Sequence, residues 1–106
     1  MDLKDGISVI VTLYNKKDYI KDSIRSAIKQ FNEKNYQIIV VDDGSNDGSY
    51  EIAKEYLRQL KKIDSLIYSQ KNSGPSIAIN NALKYVKYTH IKLLDGDDIV
   101  SPDSLQ

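Results

Sequence analysis

The sequence predicts an α/β fold with a mainly parallel sheet, its elements running βαβαβαβ. Three observations carry that prediction. Four short runs, 7–13, 36–41, 65–69 and 89–94, are dominated by apolar and β-branched residues, the composition of strands covered on both faces. Between them lie three stretches whose apolar residues recur at helical spacing. Strand and helix in strict alternation imply crossover connections, which are right-handed and leave the strands parallel.

The elements follow in order. Ile7-Ser8-Val9-Ile10-Val11-Thr12-Leu13 reads as a buried strand that Tyr14-Asn15 ends. In 18–31 the residues Ile20, Ile24, Ala27, Ile28 and Phe31 form one helical stripe, and the polar stretch 32–35 closes it. The second strand, 36–41, stops at Asp42-Asp43-Gly44-Ser45-Asn46-Asp47-Gly48. A second helix is expected over 49–62, with Ile52, Ala53, Tyr56, Leu57 and Leu60 as its stripe. Asp47 or Ser49 is its expected cap, and Glu51 lies in its first turn. After the third strand, 65–69, Gly74-Pro75 breaks the loop. A third helix over 76–86 carries Ile77, Ala78, Ala82, Leu83 and Val86, and 89–94 is read as a fourth buried strand. Ser101-Pro102-Asp103 looks like a helix cap with Pro at the first helical position. The expectation is a helix cut off within its first turn.

Composition narrows the function. The 106 residues suit one small domain. Lys plus Arg and Asp plus Glu both number 15, so the net charge is zero, which gives no support for binding nucleic acid or an anionic membrane. With no Cys, disulfides and thiolate metal sites are excluded. No apolar run approaches the roughly 20 residues that span a bilayer, and no leader-like apolar segment opens the chain. A cytoplasmic chain is expected, with contact to the inner face of the membrane only through other regions.

The acids are concentrated at strand ends. Leu93-Leu94 runs into Asp95-Gly96-Asp97-Asp98, and the second strand runs into Asp42-Asp43. Crowded carboxylates repel one another unless a cation sits among them, and hard oxygen ligands suit Mg²⁺ or Mn²⁺ completed by a substrate's phosphates. In an extended D-x-D, Asp95 and Asp97 face one side, Gly96 leaves room, and Asp98 points away or caps the next turn. The same tetrad is equally at home in a solvated turn. In open sheets ligands bind outside the carboxyl ends of the strands, which is where Thr12, Tyr14, Asp43, Asp95 and Asp97 fall. Tyr14 stands where a base can stack.

Rival readings fail on particular residues. Asp43 to Gly48 mimics the start of a calcium-binding EF-hand loop, but its twelfth position is Lys54 where Glu is needed. A phospho-receiver domain wants an acid after the third strand, where Tyr68-Ser69-Gln70 stands. A haloacid-dehalogenase-type phosphatase wants D-x-D after the first strand, which ends Thr12-Leu13-Tyr14. His90 is the only His and reads as structural or exposed. No dinucleotide fingerprint or P-loop occurs.

Four motifs in register do carry a resemblance: Val9-Ile10-Val11-Thr12-Leu13-Tyr14-Asn15, Val41-Asp42-Asp43-Gly44-Ser45, Asn72-Ser73-Gly74, and Leu94-Asp95-Gly96-Asp97-Asp98 with Pro102. In this order the chain is similar to the family 2 glycosyltransferases of the GT-A fold, over essentially its whole length. One departure is Ile79, where many relatives carry Arg just before the position of Asn80. The resemblance implies that residues 1–106 are the donor-binding half of a GT-A domain, ending after the D-x-D. It implies a UDP-sugar or other NDP-sugar donor, an Mn²⁺ or Mg²⁺ cofactor, and an acceptor hydroxyl on a sugar, lipid-linked or protein partner. Thr12 and Tyr14 would flank the nucleobase. Asp43 would accept the uracil N3–H, Asp95 would lie by the ribose, and Asp97 would hold the cation. The base of an inverting transfer would lie beyond Gln106, so these residues alone are expected not to catalyse transfer. The rival of another class is a stand-alone, non-catalytic nucleotide- or metal-binding α/β module.

Overall fold

A computed structural model of the chain describes residues 3–29, 31 and 35–99. The helix start expected at Ser101-Pro102-Asp103 lies outside them. Seven elements alternate as the sequence predicts: β1 (Lys4–Leu13), α1 (Ile20–Lys29), β2 (Tyr36–Asp42), α2 (Ser49–Gln59), β3 (Ser65–Ser69), α3 (Pro75–Leu83) and β4 (Tyr88–Asp95). The four strands form one sheet in the order β3-β2-β1-β4, and every pairing is parallel.

Strand alternation divides the core in two. Val9, Val11 and Leu13 of β1 and Ile38 and Val40 of β2 face α1 and α2, meeting Ile20, Ile24, Ala27, Ala53 and Leu57. Ile10, Ile39 and Val41 point the other way, onto Ala78, Ala82 and Val86 of the α3 segment. Covered on both faces, β1 and β2 must be apolar at successive positions, which explains their unbroken runs. The chain steps outward from β1 to β3 with its helices on one face. It then returns along the opposite face through α3 to add β4 beside β1. The crossover changes sides there, so β1 and β4 flank the switch point where such sheets bind ligands.

Several boundaries differ from expectation. Helix α2 ends at Gln59, not at 62, because Leu60 leaves helical geometry (φ −93°, ψ 72°). Leu60 and Ile63, on the turn that follows, both pack on the core. Gly48, not Asp47 or Ser49, occupies the α2 cap position, in left-handed geometry at φ 94°. Asp47 still serves the helix start, since its Oδ1 accepts from the Ser49 N–H at 2.9 Å. Pro75 opens α3 and does not merely break the loop before it, a position where its missing N–H costs nothing. The α3 stripe is narrower than predicted. Ala78 and Ala82 are fully buried, whereas Ile77 and Leu83 are 48% and 43% exposed. The small alanines bring the helix close to the sheet and leave its larger residues at the flanks. β4 is not a buried strand but an edge one: Leu94 is covered, while Ile91 and Leu93 are about half exposed.

Candidate functional site

Backbone hydrogen bonds carry the sheet past the ends of its strands. Asp43 N–H donates to Leu13 O, Gly96 N–H to Thr12 O and Gln70 N–H to Asp42 O, each at 2.8 Å. Thr12 is in register with Val41 on one side and Asp95 on the other. The same edge therefore presents Thr12, Asp43, Asp95 and the turn that follows Asp95. Tyr14, two residues past Thr12, is 45% exposed at this edge.

The adjacent acids of β2 have different surroundings. Asp42 lies on the α1/α2 face and is 1% exposed. Its Oδ2 accepts from Ser45 N–H at 3.1 Å and Ser69 Oγ at 3.0 Å, while Oδ1 has no hydrogen-bond partner among the described residues. Asp43 faces the β3–α3 loop. Its Oδ1 accepts from Gln70 Nε2 at 3.0 Å and Ser73 N–H at 2.7 Å, and its Oδ2 from Gly74 N–H at 3.0 Å. Burial pushes the Asp43 carboxyl up, but the hydrogen bonds from Gln70, Ser73 and Gly74 outweigh it and hold the group below its ordinary value. Asn72 Nδ2 donates to the Asp43 carbonyl at 3.0 Å, so the Asn72-Ser73-Gly74 segment is wrapped around this residue.

The β1–α1 and β2–α2 loops are stitched together. Asn15 adopts a left-handed φ of 51°, which Asn tolerates better than most residues. Its N–H donates to Ser45 Oγ and its Oδ1 accepts from Asn46 N–H, both at 2.9 Å. Lys16 N–H donates to Ser49 Oγ at 2.8 Å, and Ser49 Oγ in turn donates to Asp47 Oδ1. Lys17 N–H reaches Asp47 Oδ2 at 3.3 Å. Burial raises the Asp47 carboxyl, but the donors Ser49 and Lys17 bring it below its ordinary value.

Beyond Asp95 the D-x-D is a turn, which corrects the extended geometry assumed for it. Strand alternation does not place Asp97, because 96–97 form the turn. Asp98 folds back: its Oδ2 accepts from Asp95 N–H and its own N–H donates to Asp95 O, both at 2.9 Å. Gly96 O accepts from the buried Ser23 Oγ at 2.8 Å. A Cβ on Gly96 would stand 3.2 Å from Leu13 Cδ1 and from Thr12 O, so a side chain there would push its neighbours back by a few tenths of an ångström and glycine lets the turn lie close to β1. Asp97 is left facing out, and its Oδ2 lies 3.3 Å from Lys16 Nζ.

This arrangement bears on the expected cation. Among the described residues no three acidic or His side chains converge on one point. Asp97 offers a hard oxygen donor that already faces one positive charge, the Lys16 ammonium. Asp97 thus fits a hard divalent cation whose shell a ligand's oxygens and water complete, as is common for Mg²⁺. Asp98 is committed to capping the turn. The sequence gives Lys16 and Gln70 no part in the site and marks Asp47 and Ser49 only as helix caps, yet all four are tied to this edge. Their contacts join one loop to another, and no sequence spacing records such contacts.

Comparison with known proteins gives consistent matches. The model of the family described as Glycosyl transferase family 2 matches residues 8–106. TuaG of Bacillus subtilis, described as a teichuronic acid biosynthesis glycosyltransferase, is 36% identical over 97% of this chain and 40% of its own. Glycosyltransferase GlyA of Streptococcus pneumoniae is 37% identical over all of this chain and 15% of its own. The chain therefore spans less than half the length of these relatives. Among solved structures, TarS of S. aureus in complex with UDP-GlcNAc superposes with a TM-score of 0.82 at 32% identity, covering 94% of this chain and 29% of TarS. The mannosyltransferase PcManGT of Pyrobaculum calidifontis, in complex with GDP-Man and Mn²⁺, gives 0.86 at 20% identity over 94% of this chain and 30% of its own. At that identity it speaks for the GT-A fold alone.

Proposed function

Since the chain belongs to glycosyl transferase family 2, we propose that residues 1–106 are the donor-binding half of an enzyme that moves a sugar from UDP to an acceptor hydroxyl. The observation that carries the reading is the gathering of Thr12, Asp43, Asp95 and Asp97 at the sheet edge beside the switch point. The UDP-GlcNAc complex of TarS supports uridine as the base. The relative described for teichuronic acid biosynthesis supports a part in polysaccharide biosynthesis.

Each residue has a physical task in this reading. Tyr14 gives the base an exposed ring to stack on, and Thr12 lies beside it at the end of β1. A carboxylate offers about four lone-pair positions and no donor when ionised. Gln70, Ser73 and Gly74 take three of those of Asp43, leaving Oδ2 a position for an N3–H. The loop bonds keep Asp43 ionised, hence acceptor-only, down to low pH. Asp95, at the end of β4, accepts from the ribose, and Asp97 holds a divalent cation. Bound there with the oxygens of the diphosphate, Mn²⁺ or Mg²⁺ would offset the charge of the departing nucleoside diphosphate. Transfer by direct displacement would invert the anomeric centre. The reading assigns none of these residues to deprotonating the acceptor.

Uracil presents an N3–H and cytosine an acceptor at the same place. A hydrogen bond to a charged group is worth ~1.5–3 kcal/mol. With Mg²⁺ present, UDP should therefore bind about tenfold or more tighter than CDP in amide-shift titrations. Equal affinity, or a preference for CDP, overturns the assignment of Asp43.

A further inference from the structure

We infer that Lys16 is a built-in competitor for the cation site, which makes divalent-metal binding at Asp97 depend on nucleotide. The inference rests on the reading of Asp97 given above, and it begins from the ion pair. Lys16 Nζ lies 3.3 Å from Asp97 Oδ2, with the two side chains 34% and 41% exposed. The backbone is held at both ends of this contact, while the lysine side chain beyond its stem is free to turn. The Lys16 backbone is held by Ser49 Oγ, itself held by Asp47. The turn bearing Asp97 lies against the lysine stem, since a Cβ on Gly96 would be 3.4 Å from Lys16 Cγ. The ammonium is therefore placed beside Asp97 by two stitched loops and a close-packed turn.

An ammonium there has two effects on an approaching dication. It repels the ion, and it occupies an oxygen that the ion needs. Metal affinity in the absence of nucleotide is thereby held down. A diphosphate entering the edge brings several negative oxygens within reach of the flexible lysine. The ammonium then has an alternative anion, and Asp97 is released to the metal. By thermodynamic linkage, the nucleotide then strengthens metal binding and the metal strengthens nucleotide binding by the same factor. Lys16 is a positioning residue in this scheme, acting through Asp97.

The test measures free Mn²⁺ by electron paramagnetic resonance, with the 106-residue chain, with and without UDP. A partly exposed ion pair that contributes ~0.4–1 kcal/mol corresponds to about two- to fivefold, so Lys16→Met and Lys16→Gln should bind Mn²⁺ alone that much tighter than wild type. The enhancement of Mn²⁺ binding by UDP should shrink by at least that factor in both variants, and Lys16→Arg should behave like wild type. Lys16→Gln keeps the test available should the methionine variant fold poorly, and amide spectra check folding. Should both neutral variants bind Mn²⁺ alone no tighter than wild type, while Asp97→Asn abolishes binding, the Lys16 inference is wrong and the metal assignment stands. If Asp97→Asn keeps wild-type affinity in the presence of UDP, the metal is held elsewhere and both fall together.

Discussion

Asp43→Asn should cost about 2 kcal/mol of folding stability at neutral pH, and the cost should shrink in acid. The substitution keeps shape and removes charge. With its oxygen in the place of Oδ1, the new amide still accepts from Gln70 Nε2 and Ser73 N–H. Its NH₂ then meets Gly74 N–H, donor against donor. The reverse orientation sets NH₂ against two donors and is worse. One part-buried donor, the Gly74 N–H, is thus left unpaired, at the lower end of ~1–3 kcal/mol, and two charge-assisted hydrogen bonds become neutral ones. Relief of the burial penalty on the charge offsets part of this, which places the net near 2 kcal/mol. A domain this size has roughly 5–15 kcal/mol in all, so urea unfolding at pH 7 will resolve the loss. The pH dependence follows from linkage. The Asp43 carboxyl sits below its ordinary 3.8 in the folded chain. Its contribution is therefore complete above that value and is lost as pH falls through the lower folded one. The gap between wild type and Asp43→Asn should narrow below pH 3.8. A variant within ~0.5 kcal/mol of wild type at pH 7 would show that the loop bonds do not hold this residue, a scatter typical of neutral surface changes. So would a gap that widens in acid.

Two further outcomes are expected. Asp97→Asn removes a partly exposed pair with Lys16, so without ligand its stability should stay within ~1 kcal/mol of wild type. At a hundredfold excess of UDP plus Mn²⁺ over Kd, wild type should gain about 2.7 kcal/mol. Thermal melts should show the variant losing most of that gain; a full ligand-induced shift would place the cation elsewhere. Gly6→Ala and Gly48→Ala should differ in cause and size. A Cβ on Gly6 would lie 2.3 Å from Asn35 O and 2.8 Å from Tyr88 Cδ1, whereas one on Gly48 meets nothing within 4 Å but sits at φ 94°. Gly48→Ala should cost ~1–2 kcal/mol and Gly6→Ala more, read as the larger fall in melting temperature. The reverse order would contradict the close packing at the start of β1.

The sequence exposes most of this fold because burial on two faces leaves little choice of residue. β1 and β2 are central, and their runs name them without help from the rest of the chain. The helical stripes of α1 and α2 are equally direct, since Ile20, Ile24 and Ala27, with Ala53 and Leu57, all turn into one apolar cluster on the sheet. Legibility falls where a residue's environment depends on the order of strands. In 89–94 His90 and Lys92 are the cue to an edge strand, but the apolar Ile91, Leu93 and Leu94 read equally as a covered one. The order that puts β4 at the edge arises from α3 crossing back past β1. Likewise Ile77 and Leu83 satisfy helical spacing as well as Ala78 and Ala82 do. The way α3 lies on Ile10, Ile39 and Val41 selects the small pair.

The two adjacent acids of β2 show where legibility ends at the site. Alternation says that Asp42 and Asp43 point in opposite directions, and that much is readable. It does not say which direction meets a closed loop of donors. Both turn out to be almost covered, at 1% and 6% exposure, so exposure does not separate them either. The difference lies in their partners. Asp42 takes its two hydrogen bonds at Oδ2, from Ser45 and Ser69, and turns an unpartnered Oδ1 into the α1/α2 side. Asp43 is ringed by the loop that begins α3, the helix that returns the chain across the other face. That return creates the switch point between β1 and β4. The acid on the return side therefore shares an edge with Thr12 and Asp95, while its neighbour braces the β2–α2 loop from below. A proline, an insertion or a lost donor in 70–74 should disturb Asp43 and leave Asp42 in place, although only one peptide bond separates the two.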